Sequence, residues 1–409
     1  MPYWRWLASK LTRKIWFRAA MISLLSVAGA LASAVLAPFI PYDLSLKIGG
    51  KAVDNVLTIL ASSMLAVTTF SLTAMVAAFS GAAQNVTPRA TQLLIEDSTA
   101  QNALSTFLGG FLFGIVGIVA LSTGLYGEQG RAVLFLFTIA MIAWIALTLL
   151  RWIQTLSHFG RVPDTIARVE KAGIAALGRD CRANASEEPA PTAMPEGAAA
   201  IRSARTGYVQ VIDTDGLAAL AKERGAAVHV VATPGGFVDP ERTLAWIDAA
   251  LDDDERTRLA DCFTVSRDRS FDHDPRFAMV VLAEIGSRAL SPAVNDPGTA
   301  IGALISGQRI AQAYLERETA APSAHVVFPP LSLEELVEDL VRPIARDGAG
   351  MVEVGIRLQG MLGTLTALRP SATRAIRRLA SDARERSEAA GLAETDRSRI
   401  DKAFRAAFA

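Results

Sequence analysis

Four long apolar stretches fill the first 160 residues, at roughly 17–40, 53–83, 103–125 and 132–156. Each reaches the ~20 residues that an α-helix needs to cross a bilayer. In hydrocarbon, every backbone N–H and C=O must be paired within the segment, so such stretches fold as helices and as little else. The sequence therefore predicts a four-helix transmembrane domain over residues 1–160. Its first partner is the lipid bilayer.

Composition narrows the rest. The chain has 409 residues, 51% of them hydrophobic, with 41 basic and 41 acidic residues and a formal net charge of zero. A general nucleic-acid binder is strongly basic, so no nucleic-acid partner is expected. Two cysteines far apart, Cys181 and Cys262, make neither a disulfide framework nor a zinc pattern. With four histidines, no metal site is expected either.

Basic residues set the expected orientation. Arg5, Lys10, Arg13, Lys14 and Arg18 precede or open the first span, Arg89 follows the second, and Arg151, Arg161, Arg168 and Lys171 follow the fourth. The other two loops balance Lys47, Lys51 and Arg131 against Asp43, Asp54 and Glu128. The N-terminus and the C-terminal half are thus expected to be cytoplasmic. The first span is longer than a signal-peptide core, which favours an uncleaved anchor. Upstream of it, Trp4, Leu7, Ala8 and Leu11 recur at helical spacing between basic residues, as either an interfacial helix or a basic tail.

Two spans carry further patterns. Gly110 and Gly114 form a G-x-x-x-G pair suited to close helix packing. In the second span Thr58, Ser62, Thr69, Thr73 and Ser80 follow spacings of 4, 7, 4 and 7, one stripe along one helix face. Hydroxyls so placed either bond helix carbonyls and glue neighbouring helices or line a water-filled path. No Asp, Glu, Lys or His sits mid-membrane, which argues against proton-coupled transport.

The C-terminal half is expected to be a mixed α+β domain. Residues 161–204 read as a helix followed by a Pro-, Ala- and Glu-rich flexible linker. Residues 205–270 read as a small β-containing module. There "YVQVI" and "AVHVVA" are strands around a helix opened by Thr214 or Asp215 and closed by Gly225. The Gly-Gly of "TPGGFV" lacks a phosphate-loop pattern, and "LDDDER" reads as a solvated helix start. Residues 271–409 read as helical, with Phe277, Val280, Val281 and Ile285 on one face and a strongly charged final stretch. Asp272, His273 and Asp274 form either a polar turn before a helix or a small metal site.

The stretch "SRALSPAVNDPGTA", Ser287 to Ala300, works as a helix–turn–helix connection. Pro292 stops the first helix; Asp296 is a good N-cap, with Pro297 in the first turn. Arg288, Asn295, Asp296 and Thr299 also offer polar groups to an ion or anion, although Asp296 at the helix start disfavours an anion; Ser291 precedes the breaking Pro292. No nucleophile–base pair is visible, so no catalytic residue is expected and the protein is read as not an enzyme.

"DPRFAMVVLAEIGSRALSPAVNDPGTA" closely resembles the signature of a bacterial family of membrane proteins, domain of unknown function 2254. The four spans, the "GYVQ-x-ID" stretch and the helical tail resemble that family too. The resemblance implies a multi-pass inner-membrane protein with a cytoplasmic domain, and neither a reaction nor a cofactor. Two functions follow. One is an oligomeric, channel-like permeation protein whose second span lines a pore, regulated by the cytoplasmic domain. The other is a non-conducting scaffold or sensor that binds a cytoplasmic partner. A homo-oligomer is expected in either case.

Overall fold

The computed structural model describes residues 14–36, 50–184, 194–195, 197–317, 323 and 325–408. The upstream segment with Trp4, the first loop at 37–49 and most of the expected linker lie outside the described residues. The described chain forms two compact units, one ending at Arg161 and the other beginning at Val162.

The first unit is a bundle of four long helices. These are α1 (Ile15–Leu36), α2 (Gly50–Asn85), α4 (Ser98–Ser122) and α5 (Glu128–His158), with a short α3 (Thr91–Ile95) before α4. All four are long and apolar enough to cross a membrane. Helix α2, with 36 residues, measures about 54 Å, well beyond the ~30 Å of a hydrocarbon core.

Helix α4 is the packing centre, and glycine makes it so. A Cβ on Gly114 would lie 2.9 Å from the Ala61 Cβ of α2, and one on Gly110 would lie 2.7 Å from Ile145 of α5. The expected G-x-x-x-G pair is thus a packing device, bringing α4 against two neighbours at once. Polar clamps are few and specific. Tyr126 OH donates to the Ala30 carbonyl of α1 at 2.6 Å, and the buried Trp152 indole N–H donates to Ser71 Oγ at 3.1 Å.

The second unit opens on α6 (Val162–Leu177). Two small sheets follow, built from β1 (Ala199–Arg202), β2 (Gly207–Ile212), β3 (Val228–Val230), β4 (Phe237–Val238), β5 (Thr243–Ile247) and β6 (Phe263–Ser266). Two helices lie among them, α7 (Thr214–Arg224) and α8 (Asp253–Asp261). A seventh strand, β7 (Val326–Val327), comes from within the stretch expected to be helical. One sheet has the order β1-β5-β3-β7, with β7 parallel to β3; the other, β4-β2-β6, is antiparallel. Leu217, Val228, Val230, Leu244 and Ile247 share one hydrophobic core with Val209, Val238 and Phe263 of the other sheet.

Some expected helix ends are present and one is shifted: α7 has its N-cap at Asp213, one residue before the expected Thr214, with no side-chain cap bond. Helix α7 ends on Gly225 in the left-handed conformation. The helix start in "LDDDER" is α8, with a full capping box between Asp252 and Glu255.

The remaining helices are α9 (Pro275–Ala289), α10 (Pro297–Glu316), α11 (Leu333–Asp347), α12 (Val352–Leu368), α13 (Thr373–Ala389) and α14 (Glu394–Ala407). Helix α9 is enclosed by α6, α10 and α11 and buries residues on most of its circumference, including Ala278, Met279, Leu282 and Gly286. Its sequence pattern suggested a single apolar face. The small residues Ala278 and Gly286 admit neighbours on the others.

Candidate functional site

The five hydroxyl residues of α2 share one face and are all exposed in the chain. That face lies roughly 150° around the helix from the buried one, which carries Val53, Leu57, Leu60, Met64, Ser71 and Met75. The stripe therefore glues nothing within its own chain. Its hydroxyls turn inward on the helix backbone. Ser62 Oγ donates to the Thr58 carbonyl at 2.9 Å, Thr69 Oγ1 to Leu65 at 3.0 Å, and Thr73 Oγ1 to Thr69 at 3.0 Å. At the far end Ser80 Oγ accepts from Gln84 Nε2 at 3.5 Å. Large apolar side chains flank the stripe, among them Phe70, exposed by 65%, and Leu72, exposed by 50%.

The connection between α9 and α10 is held by short-range bonds. Ser291 Oγ donates to the Arg288 carbonyl at 2.7 Å, and the Asp296 N–H donates to the Ala289 carbonyl at 2.8 Å. Asn295 takes φ +50°, the one positive φ outside glycine among the described residues, a conformation that Asn tolerates better than most residues. The Asp296 carboxylate caps α10, accepting from Thr299 Oγ1 at 2.6 Å and from its N–H at 3.1 Å. The Thr299 hydroxyl, and next its backbone N–H, hold the Asp296 carboxyl below its ordinary pKa. Pro297 occupies the first turn. Arg288 and Pro292 are exposed, as is the tip at Ala293 and Val294.

Asp272, His273 and Asp274 diverge instead of converging. Asp272 pairs with Arg179 at 3.7 Å, and His273 Nδ1 lies 2.9 Å from the Arg179 carbonyl. Asp274 caps α9 through the Phe277 N–H and pairs with Arg269 at 2.7 Å. Among the described residues, no three His, Cys, Asp or Glu side chains come together in a metal-binding cluster.

Asp274 instead belongs to a buried ionic region that sequence reasoning missed. Arg182 pairs with Asp180 at 2.9 Å, both almost fully buried, and Arg317 Nη1 lies 3.7 Å from Asp180. Burial pushes the Asp274 carboxyl above the usual carboxylate range, while Arg269 pulls it back. The "TPGGFV" turn packs directly on this carboxylate. Gly235 has φ +83°, and a Cβ there would fall 2.0 Å from Asp274 Oδ2, so only glycine fits. The Asp-Pro pair at 274–275 was the one legible signal, since it repeats the cap pattern of Asp296-Pro297.

A groove of about 560 Å³ runs between α9 and α11, lined by Arg276, Glu284, Ser287, Asp339, Arg342 and Arg346 among others. Its charges are largely spent on each other. Arg276 makes a bidentate pair with Asp339 at 2.7 and 3.1 Å, and Arg342 pairs with Glu338.

The family model described as "Predicted membrane protein (DUF2254)" matches residues 12–364. The chain belongs to this family. Uncharacterized proteins of Mycobacterium bovis and Mycobacterium tuberculosis are each 31% identical to it over 117 residues, which cover 27% of this chain and 22% of each relative. The chain thus matches about a fifth of these relatives' length. No solved structure matches. This family member is a membrane protein with four candidate spans.

Proposed function

We propose that this family member is an oligomeric, channel-like permeation protein of the bacterial inner membrane, with α2 of several copies lining the path. It is not an enzyme, and its N-terminus and second unit are cytoplasmic. One observation carries this reading: the hydroxyl stripe of α2 lies on the face turned away from its own chain. A polar stripe flanked by large apolar side chains suits a helix that meets neighbouring copies at its flanks and water between them. The basic loops and tails support the orientation. As thiol probes, Thr123→Cys is then labelled from outside the cell and Glu241→Cys is not.

A second reading rests on the hydroxyls bonding their own carbonyls, since a self-satisfied stripe also suits a dry contact between copies. In that case the protein is a non-conducting scaffold or sensor for a cytoplasmic partner. Thr69→Phe separates the two. In a pore it lowers ion flux into liposomes while the oligomer stays assembled. In a dry contact it overpacks the interface by about 1–3 kcal/mol and loosens the oligomer. Wild-type protein without current, together with Thr69→Cys and Thr73→Cys variants closed to small thiol reagents, would remove the channel reading.

A further inference from the structure

Between Glu353 and Asp382 the chain carries five arginines, Arg357, Arg369, Arg374, Arg377 and Arg378, and no acidic residue. The whole chain is neutral, so this excess is local. The fold gathers most of it at one corner. Helix α12 ends at Leu368, a single 3-10 turn spans Pro370–Ala372, and α13 begins at Thr373.

Two of the five arginines bond polar groups of the unit, and a third, Arg377, lies over the Phe404 ring at 6.0 Å. Arg357 donates to Gln308 Oε1 at 2.7 Å, and Arg378 pairs with Glu334. Arg369, Arg374 and Arg377 are exposed and have no carboxylate partner among the described residues. Beside them Leu368 is 54% exposed.

This placement runs against helix electrostatics. The first turn of a helix favours acidic side chains and disfavours cations. Helices α8 and α11 obey: the first opens on Asp252 with Asp253, Asp254 and Glu255, the second on Ser332 with Glu334 and Glu335. Helix α13 has no side-chain cap and no acid in its first turn, where Arg374 sits instead. A local rule broken on an exposed surface, with no gain inside the fold, marks a place where something outside the fold sets the residues.

We propose that this corner docks on anionic phospholipid headgroups, with Arg369, Arg374 and Arg377 on phosphates and Leu368 entering the interface. The four spans tether the chain to a bilayer, so such a surface is present at high effective concentration. Guanidinium forks match phosphate oxygens. Each basic side chain near an anionic surface strengthens docking roughly fivefold. The exposed leucine suits a surface with hydrocarbon beneath its polar layer. Single-stranded nucleic acid would need an aromatic stacking platform, and residues 365–381 contain no aromatic side chain. The corner also lies beyond residue 364, outside the part of the chain that the family model matches.

The test uses the full chain with a dye on Ser371→Cys, reconstituted into two kinds of vesicle. One is phosphatidylcholine alone; the other also contains phosphatidylglycerol. Both carry a phospholipid with a quencher on its headgroup. Quenching is expected to be several-fold stronger in the anionic vesicles and to fall as salt is raised. In R369Q/R374Q/R377Q it should drop to the neutral-vesicle level, whereas Lys402→Gln should leave it intact. An unchanged unfolding midpoint establishes that the triple variant is folded. Equal quenching in the two vesicles, or no effect of the triple variant, overturns the proposal. So does a dye that responds to single-stranded RNA in neutral vesicles but not to anionic lipid. None of these readouts depends on flux along α2.

Discussion

The two units differ most in what they leave on the outside. In the first, small residues face inward: Gly110, Gly114 and Ala61 let the helices close on one another. Large apolar residues face both ways: Trp152, Phe107 and Phe113 are buried in the bundle, while Leu24, Leu25, Phe70 and Trp144 face outward. In the second unit the large apolar residues are inside, among them Met279, Leu282, Leu336 and Leu340, and most arginines and carboxylates are outside, the buried Asp180, Arg182 and Asp274 excepted. Polar side chains behave alike in the two units. Hydroxyls fold back onto helix carbonyls in both, as Thr69 and Thr366 do, and carboxylates cap helix starts in both, as Asp97, Asp252 and Asp296 do. The outer surfaces thus show two answers to two solvents. In hydrocarbon there is no hydrophobic gain in hiding a leucine, so shape and hydrogen bonds drive association; in water, burial drives it.

The contrast is sharpest at exposed apolar positions. Phe70→Asp places a charge on the outer face of a span and should cost about 3 kcal/mol of membrane insertion. Val294→Asp, on an exposed apolar residue of the second unit, should change stability by no more than about 0.5 kcal/mol. Similar losses at both sites, measured by unfolding in bicelles, would dissolve the distinction.

Close packing is the next test. Gly114→Leu must displace Ala61 and Leu57 and should destabilise the bundle by about 1–3 kcal/mol. Gly81→Leu, where a Cβ meets nothing within 4 Å, should leave the thermal midpoint in detergent nearly unchanged.

The cap of α10 comes next. Asp296→Ala should cost about 0.5–2 kcal/mol, and Asp296→Ser should restore most of that. The folded-state pKa of Asp296 is depressed, so its contribution is present above the ordinary Asp pKa of about 3.9 and disappears as pH falls through the lower folded value. An acid titration of stability that matches between wild type and Asp296→Ala would remove the cap from this account.

The smallest effect concerns the thiols. Burial first, then Asp180, pushes Cys181 up to about 12, and burial and Asp213 do the same for Cys262. Both should alkylate far more slowly at neutral pH than an exposed thiol such as that of Ser371→Cys, a difference that mass spectrometry of timed samples would read.

Local chemistry was legible from the residues themselves. The spans follow from hydrocarbon's intolerance of unpaired backbone groups. Asp296-Pro297, Asp252 with Glu255, and Gly225 each announce a helix end because the bonds that make a cap lie within four residues of it. The α2 stripe was legible as a stripe, since helical period alone puts Thr58 to Ser80 on one face. The α9 pattern misled in part, because enclosure by α6, α10 and α11 is a property of neighbours distant in sequence.

Sequence by itself determined the membrane class, the four spans, several helix ends and the existence of the small β module. Each rests on interactions between residues a few positions apart. Tertiary structure alone decided which way the hydroxyl stripe faces, since that depends on where α4 and α5 close on α2. It alone brought β7 beside β3 across nearly a hundred residues, and gathered Asp180, Arg182, Arg269, Asp274 and Arg317 into one buried region. Those outcomes depend on contacts between distant parts of the chain, and such contacts leave no period in the sequence to read.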